Sequence, residues 1–141
     1  MNFDEKTIER IKRLEREVER LRVKEKQVFV PLTTPLTSTS WDGDNKGTDD
    51  RAIVDLSTVF GVPAGVKAVL MSIQTQGDAA NDYIRFGPNS TYNYALTCRT
   101  TVASQIAHAF GIVPCDSNGD VYCYTSGTIE NVQMWIWGYW L

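Results

Sequence analysis

Few side chains in this chain of 141 residues have catalytic or metal-binding chemistry, and their spacing forms no catalytic motif. There is one histidine, His108, and the three cysteines, Cys98, Cys115 and Cys123, include no Cys-x-x-Cys pair. The chain also lacks a phosphate-binding Gly-x-x-x-x-Gly-Lys-Ser/Thr loop and a Gly-x-Ser-x-Gly nucleophile elbow. We therefore expect no enzymatic activity, no catalytic residue and no cofactor.

The single histidine lies on an apolar stripe. Val102, Ile106, His108, Phe110 and Ile112 share one face if this segment is a regular strand. One interpretation is a neutral imidazole, hydrogen-bonded inside the domain or at a contact between copies of the chain. The alternative is a metal ion held by three copies of His108 around a three-fold axis. The pattern favours the first interpretation, so no metal site is predicted.

An acidic loop over residues 42–50 has some of the spacing of a calcium loop. Asp42, Asp44 and Gly47 match the EF-hand pattern, but Lys46 occupies a ligand position and Ile53 replaces the closing glutamate. A solvated surface loop is the favoured interpretation. A shallow calcium site of another type is the alternative.

Aromatic and acidic side chains near turns form a candidate ligand surface. Flat aromatic rings match the C–H faces of sugar rings. Tyr122 and Tyr124 share a face, as do Tyr92 and Tyr94, and the polar loops 42–50, 77–82 and 88–93 would form the contact surface. Packing of these rings within a sandwich is the alternative. The candidate residues are Trp41, Asp42, Asp44, Tyr92, Tyr94, Tyr122 and Tyr124.

The first 27 residues predict a helical stalk. Ile11, Leu14, Val18 and Leu21 follow the 3-4-3 spacing of a coiled-coil seam, on a helix expected from about residue 4 to residue 26. The run from Arg10 to Glu15 resembles the trimerisation motif of short parallel coiled coils, in which an arginine reaches a glutamate of the neighbouring chain. We therefore predict a homotrimer whose seam comprises Arg10, Ile11, Leu14, Glu15, Val18 and Leu21.

Residues 28–141 predict an all-β head, a jelly-roll-like sandwich. Strands are expected at 28–33, 36–41, 52–57, 66–76, 82–87, 93–100, 102–113, 120–126 and 129–140. Asn118-Gly119 predicts a two-residue hairpin turn between the strands near 112–116 and 120–126. In that register Cys115 and Cys123 would face opposite sides of the sheet, so the cysteines are interpreted as buried thiols without a disulfide.

The final strand is apolar on both of its faces. Val132, Met134 and Ile136 alternate with Trp135, Trp137 and Tyr139, and residues 131–141 carry no charged side chain. Such a strand needs cover on both sides. A neighbouring subunit is the favoured cover, which places Trp135, Trp137, Tyr139 and His108 in a head trimer interface. Burial within the chain and an exposed ligand platform are the alternatives.

Charge and hydropathy narrow the partners. Residues 1–27 hold nine of the 14 basic and seven of the 17 acidic residues, which leaves five basic and ten acidic residues in the head. This acidic balance argues against a nucleic-acid partner. No uncharged run approaches the length of a membrane span and the N-terminus has no signal-peptide core, so we expect synthesis in the cytoplasm and no membrane insertion.

The plan of a short coiled coil feeding an all-β head resembles the distal part of a phage tail fibre or receptor-binding protein. The segments Val62–Leu70 and Trp135–Trp140 are similar to those of small β-domains in phage structural proteins. The resemblance implies a virion protein, a non-catalytic homotrimer whose head attaches to a host-surface receptor or glycan. The alternative is a structural cap or trimerisation module that binds only other virion proteins.

Overall fold

The change of hydrophobic period after residue 27 separates a helix from a β-rich head. The computed structural model describes residues 4–25, 28–41, 43, 51–127 and 129–141. The elements in chain order are α1 (Glu5–Glu25), β1 (Phe29–Leu36), β2 (Arg51–Val54), α2 (Leu56–Phe60), β3 (Ala68–Gly77), β4 (Tyr83–Gly87), β5 (Leu96–Arg99), β6 (Ile106–Pro114), β7 (Val121–Thr125) and β8 (Ile129–Trp140).

The head is built from two four-stranded antiparallel sheets. Sheet I has the strand order β1-β8-β3-β6, and sheet II has the order β2-β7-β4-β5. Strands that are distant in sequence are therefore neighbours, as β1 and β8 are at the edge of sheet I. The prediction of an all-β sandwich head behind an N-terminal helix is confirmed at this level.

Alternating side chains from both sheets form one core. In β3 the inner positions Val69, Met71 and Ile73 are fully buried, and in β4 Ile84 and Phe86 are buried with them. Each buried aliphatic or aromatic side chain contributes about 1.5–3 kcal/mol relative to exposure. The core therefore holds the two sheets face to face.

A hydrogen bond between β3 and β5 joins the two sheets through the core. Thr75 on β3 and Cys98 on β5 share it, with 3.3 Å between Oγ1 and Sγ. Burial raises the pKa of the Cys98 thiol above its ordinary value. The thiol therefore stays protonated and serves as a small packing group.

The helix α1 begins as its sequence predicts. The backbone N–H of Thr7 donates to Asp4 Oδ1 at 2.7 Å. A hydrogen bond from the Thr7 side chain, followed by this backbone bond, lowers the pKa of the Asp4 carboxyl. The seam residues Ile11, Leu14, Val18 and Leu21 are between 41% and 54% exposed, and Ile8 widens the stripe at 40%. The helix thus leaves a continuous apolar stripe uncovered by its own chain.

The turn at Asn118-Gly119 exists, but the hairpin prediction is wrong. The strands that flank it, β6 and β7, belong to different sheets. Only Gly119 has a positive φ, 82°, and the Asp116 carboxylate accepts hydrogen bonds from the backbone N–H groups of Asn118 and Asp120. A turn stabilised by the Asp116 side chain therefore connects the two sheets. The sequence alone favours a different structure, a primed turn within one hairpin.

Some strand boundaries also differ from those predicted. The predicted strands 28–33 and 36–41 are one strand that ends at Leu36, and the segment 52–57 is cut short because α2 begins at Leu56. Asp55 caps α2, and Gly61 ends it with a φ of 76°. The short helix buries Leu56 and Phe60, so it closes one end of the core.

We predict that Asp55→Ala lowers the melting temperature by about 3 to 5 °C at neutral pH, because it removes the cap of α2. The backbone N–H of Thr58 donates to Asp55 at 3.1 Å, and this bond, with those from Ser57 and the Thr58 hydroxyl, lowers the pKa of Asp55 below 3.8. A lowered carboxyl pKa contributes stability above its unfolded value, and this is lost as the pH falls through the folded value.

Thermal unfolding of wild type, Asp55→Ala and Asp55→Asn at pH 7 and near pH 3 measures this effect. The asparagine variant keeps an uncharged cap and serves as the control. The difference between wild type and Asp55→Ala should narrow at the lower pH. A difference that is unchanged between the two pH values contradicts the prediction.

Candidate functional site

A β-bulge in β8 decides which residues face outward from sheet I. Met71 pairs with Ile136 but Leu70 pairs with Gly138, so Trp137 is an extra residue in β8. Trp137 points outward and its Nε1–H donates to Ser72 Oγ at 2.9 Å. Beyond the bulge, Tyr139 pairs with Val69 and packs against the core. The prediction that Tyr139 shares a face with Trp135 and Trp137 is therefore wrong.

The outer face of sheet I carries a contiguous group of apolar side chains. Phe110 and Ile112 of β6 are 63% and 53% exposed. The ring centroids of Phe29 and Trp140 lie 4.4 Å apart. The Phe29 ring also covers Gly138 closely, since a Cβ atom added to this glycine would lie 2.5 Å from the ring. We call this group the apolar patch: Phe29, Leu70, Phe110, Ile112, Trp137 and Trp140.

The other half of the same face mixes polar side chains with Ile106, which is 54% exposed. His108 pairs with Gln74, which pairs in turn with Gln133 on β8. The His108 side chain is exposed, so its interpretation as a histidine buried inside the head is wrong. His108 lies beside the apolar patch, so its place in a contact between copies of the chain stays a prediction. Trp135 is half-buried on this face, opposite Ser72.

The outer face of sheet II has a different chemistry. Tyr122 and Tyr124 on β7 share this face, as predicted from their spacing. The guanidinium carbons of Arg85 and Arg99 lie over the ring of Tyr83, at 4.3 and 4.7 Å from its centroid. The Tyr83 and Tyr124 rings are 6.1 Å apart. We call this group the arginine–tyrosine face: Tyr83, Arg85, Arg99, Tyr122 and Tyr124.

The two arginines of this face have no carboxylate partner among the described residues. Arg99 donates from Nη1 to the carbonyl of Asn81 at 3.4 Å, and Arg85 Nε is buried with no hydrogen-bond partner there. The four strands of sheet II contain no acidic residue within their bounds. With respect to the described residues, both guanidinium groups therefore keep donors that a ligand could use, although Arg85 Nε itself is buried.

Two loops border the arginine–tyrosine face at the opposite ends of β4. The loop over residues 78–82 precedes this strand, and the loop over residues 88–95 follows it about 15 Å away. The Tyr92 carbonyl crosses directly over Gly87, which is paired with Tyr122. Tyr92 and Tyr94 are each 59% exposed, with their rings 6.4 Å apart. These two tyrosines therefore lie at one end of the face.

The remaining residues predicted for a ligand surface do not join this face. Trp41 packs its ring against Phe60 and Phe86, with centroid distances of 6.1 and 6.5 Å. Trp41 is half-buried and lies at the end of the core, away from the arginine–tyrosine face, so its role in ligand binding stays a prediction. Asp42 and Asp44 lie outside the described residues.

The three cysteines are buried or half-buried thiols. Cys98 and Cys123 are buried, and Cys115 is half-buried. Burial, followed by the negative charges of Asp116 and Asp120, raises the pKa of Cys115 to about 12. The Cys115 thiol is thus protonated at neutral pH and is a poor nucleophile. No group of three or more metal-binding side chains occurs in the described part of the chain.

Comparison with known proteins gives no relative from which a function could be transferred. The chain matches no protein-family model, and no curated protein matches it. Within the described ranges, no helix has the length and apolar character needed to cross a membrane. The function must therefore be argued from the two outer faces and the helix.

We predict that Gly87→Ala lowers the melting temperature by about 5 to 10 °C, because its methyl group would lie 1.9 Å from the Tyr92 carbonyl oxygen and must displace the loop backbone. Gly111→Ala is the matched control, since its methyl group meets only the flexible Leu96 side chain, at 3.1 Å. Thermal unfolding and near-ultraviolet circular dichroism measure both variants. Equal effects of the two substitutions would contradict the close approach of this loop to β4.

Proposed function

We propose that this chain is a non-catalytic homotrimeric fibre-tip protein of a virion, whose head attaches to a glycan or receptor on a host surface. The order β1-β8-β3-β6 and β2-β7-β4-β5 supports a jelly-roll head, because eight strands in two Greek keys form two such sheets. The observation that carries the proposal is the pair of uncovered apolar surfaces, one on the helix and one on sheet I.

The helix supports assembly of several parallel chains. Most of the stability of a helix in a protein comes from packing of its apolar face, and among the described residues nothing covers the stripe of the 21-residue α1. Burial of Ile11, Leu14, Val18 and Leu21 against identical helices removes this stripe from water. Arg10 and Glu15 flank the stripe, and in a trimer they would form ion pairs between chains.

The apolar patch extends the same interface into the head. Phe29 follows Glu25, the last residue of α1, by four positions, so their Cα atoms are at most about 14 Å apart. The backbone N–H of Leu141 donates to the Val28 carbonyl at 3.0 Å, which holds the start of β1 beside the end of the chain. The stalk therefore joins the head close to the apolar patch, and one three-fold axis can bury both surfaces. Trp135 and His108 would lie at the margin of that interface.

We predict that the full chain in solution has a mass of about 48 kDa, three times the 15.9 kDa of one chain. The double variant Phe110→Glu with Ile112→Glu should dissociate it to monomers, because charge would replace the two most exposed side chains of the patch. Ile11→Asn with Leu14→Asn should weaken the trimer without abolishing it. Light scattering across a concentration series measures the three proteins.

The control is Ile53→Glu, an equally exposed apolar residue on the outer face of sheet II, 60% exposed. It should leave the trimer intact. A monomeric wild type, or a trimer that survives the Phe110 and Ile112 substitutions unchanged, would overturn the assignment of the patch to the interface.

Attachment is tested with the full-length trimer on a broad array of glycans and on a panel of bacterial cells. We expect saturable binding to a subset of these surfaces. Binding to none of them, together with co-purification with another virion protein, would favour the structural cap instead.

A further inference from the structure

We propose that the arginine–tyrosine face of sheet II binds a polysaccharide that carries carboxylate groups, such as a polymer of uronic acids. This inference rests on the proposed attachment function and names its site and ligand class. The face combines two features that such a polymer requires: flat aromatic surfaces, and guanidinium groups that have no carboxylate partner among the described residues.

The tyrosines match the sugar rings of such a polymer. Tyr83 and Tyr124 lie 6.1 Å apart on adjacent strands, and Tyr122 continues the row along β7. Aromatic rings of this kind pack against the C–H faces of pyranose rings while their hydroxyl groups fix orientation. The row is half-exposed, so a chain of sugars can reach it without a conformational change.

The arginines match the carboxylates. A guanidinium group presents a planar fork of N–H donors that fits a carboxylate in a bidentate manner. Arg85 and Arg99 lie over the same tyrosine ring and have no described carboxylate partner, although the head carries twice as many acidic as basic residues. Stacking on the Tyr83 ring restrains both guanidinium groups, which reduces the conformational entropy lost on binding.

The position of the face keeps it free in the proposed trimer. The apolar patch lies on the outer face of sheet I, whereas the arginine–tyrosine face lies on the opposite side of the sandwich. A neighbouring subunit that covers the patch therefore does not cover the arginines. The strands of sheet I contain no lysine or arginine, so sheet II offers the cationic side.

The test compares binding of wild type and variants to immobilised polygalacturonate, neutral dextran and poly(glycerol phosphate) at 0.15 M salt. We expect wild type to bind polygalacturonate, to show no binding to dextran, and to bind poly(glycerol phosphate) more weakly than polygalacturonate. Arg85→Gln with Arg99→Gln should weaken polygalacturonate binding about tenfold or more across the trimer. Lys12→Gln with Lys67→Gln removes the same charge elsewhere and should stay within about twofold of wild type.

A second variant keeps the test valid if the glutamines disturb folding. Arg85→Lys with Arg99→Lys preserves the charge but removes the planar pair of N–H donors. We expect its affinity for polygalacturonate to lie between those of wild type and the glutamine variant. Wild-type affinity in the lysine variant, or tighter binding of the phosphate polymer, would overturn the assignment to carboxylates. Equal affinity of the glutamine variant and wild type would overturn the assignment to this face.

The same variants separate this inference from the proposed function. Suppose that the wild-type trimer binds cells or glycans of the panel and that the glutamine variant binds them equally well. The proposed attachment function is then kept, and the assignment of its binding site to the arginine–tyrosine face is wrong. If the wild-type trimer binds no cell, no glycan and no polymer, the attachment function itself is wrong.

Discussion

The extra residue at Trp137 decides which side chains of the head meet solvent. From Val132 to Ile136, β8 alternates between core and outer face, and without the bulge Tyr139 would point outward. With it, Trp137 hydrogen-bonds to Ser72 on the outer face, Gly138 lies beneath the Phe29 ring, and Tyr139 packs against the core. A shift of one residue exchanges the two faces of a strand. The composition of the apolar patch therefore depends on this single insertion, and so does the interface proposed for it.

The two outer faces differ in charge, although one core holds both sheets. The head is acidic overall, but Asp55, Asp78, Asp82, Asp116 and Asp120 lie in turns and loops outside the strands. The strands of sheet II contain three arginines and no acid. Exposed charges are largely screened beyond about 8 Å at physiological salt, so the residues on a face determine its local potential more than the net charge does. Net charge alone therefore hides the cationic side of this head.

Much of the fold follows from local pattern, whereas the sites depend on register. The apolar stripe of α1, the position of β3 and the shared face of Tyr122 and Tyr124 are readable from spacing, because each depends on residues close in sequence. Arg85 and Arg99 meet at Tyr83 only because β4 pairs with β5, a relation without a local signal. The bulge at Trp137 and the crossing of the chain between sheets at Asn118 are likewise set by tertiary packing. Such long-range pairing is what an alternating pattern cannot specify.

The affinity of the arginine–tyrosine face for an acidic polymer depends on the trimer that the apolar patch is proposed to hold together. An exposed arginine–carboxylate pair contributes about 0.2–1 kcal/mol, so one head alone would hold an acidic polymer weakly. A polymer repeats its carboxylates, and a trimer repeats its arginines on three outward sides. Once one head is bound, the next binding event is intramolecular, which can raise the overall affinity by about 10²–10⁴-fold without a new contact. Loss of the apolar patch should therefore weaken attachment as strongly as loss of the arginines, even though the patch touches no sugar.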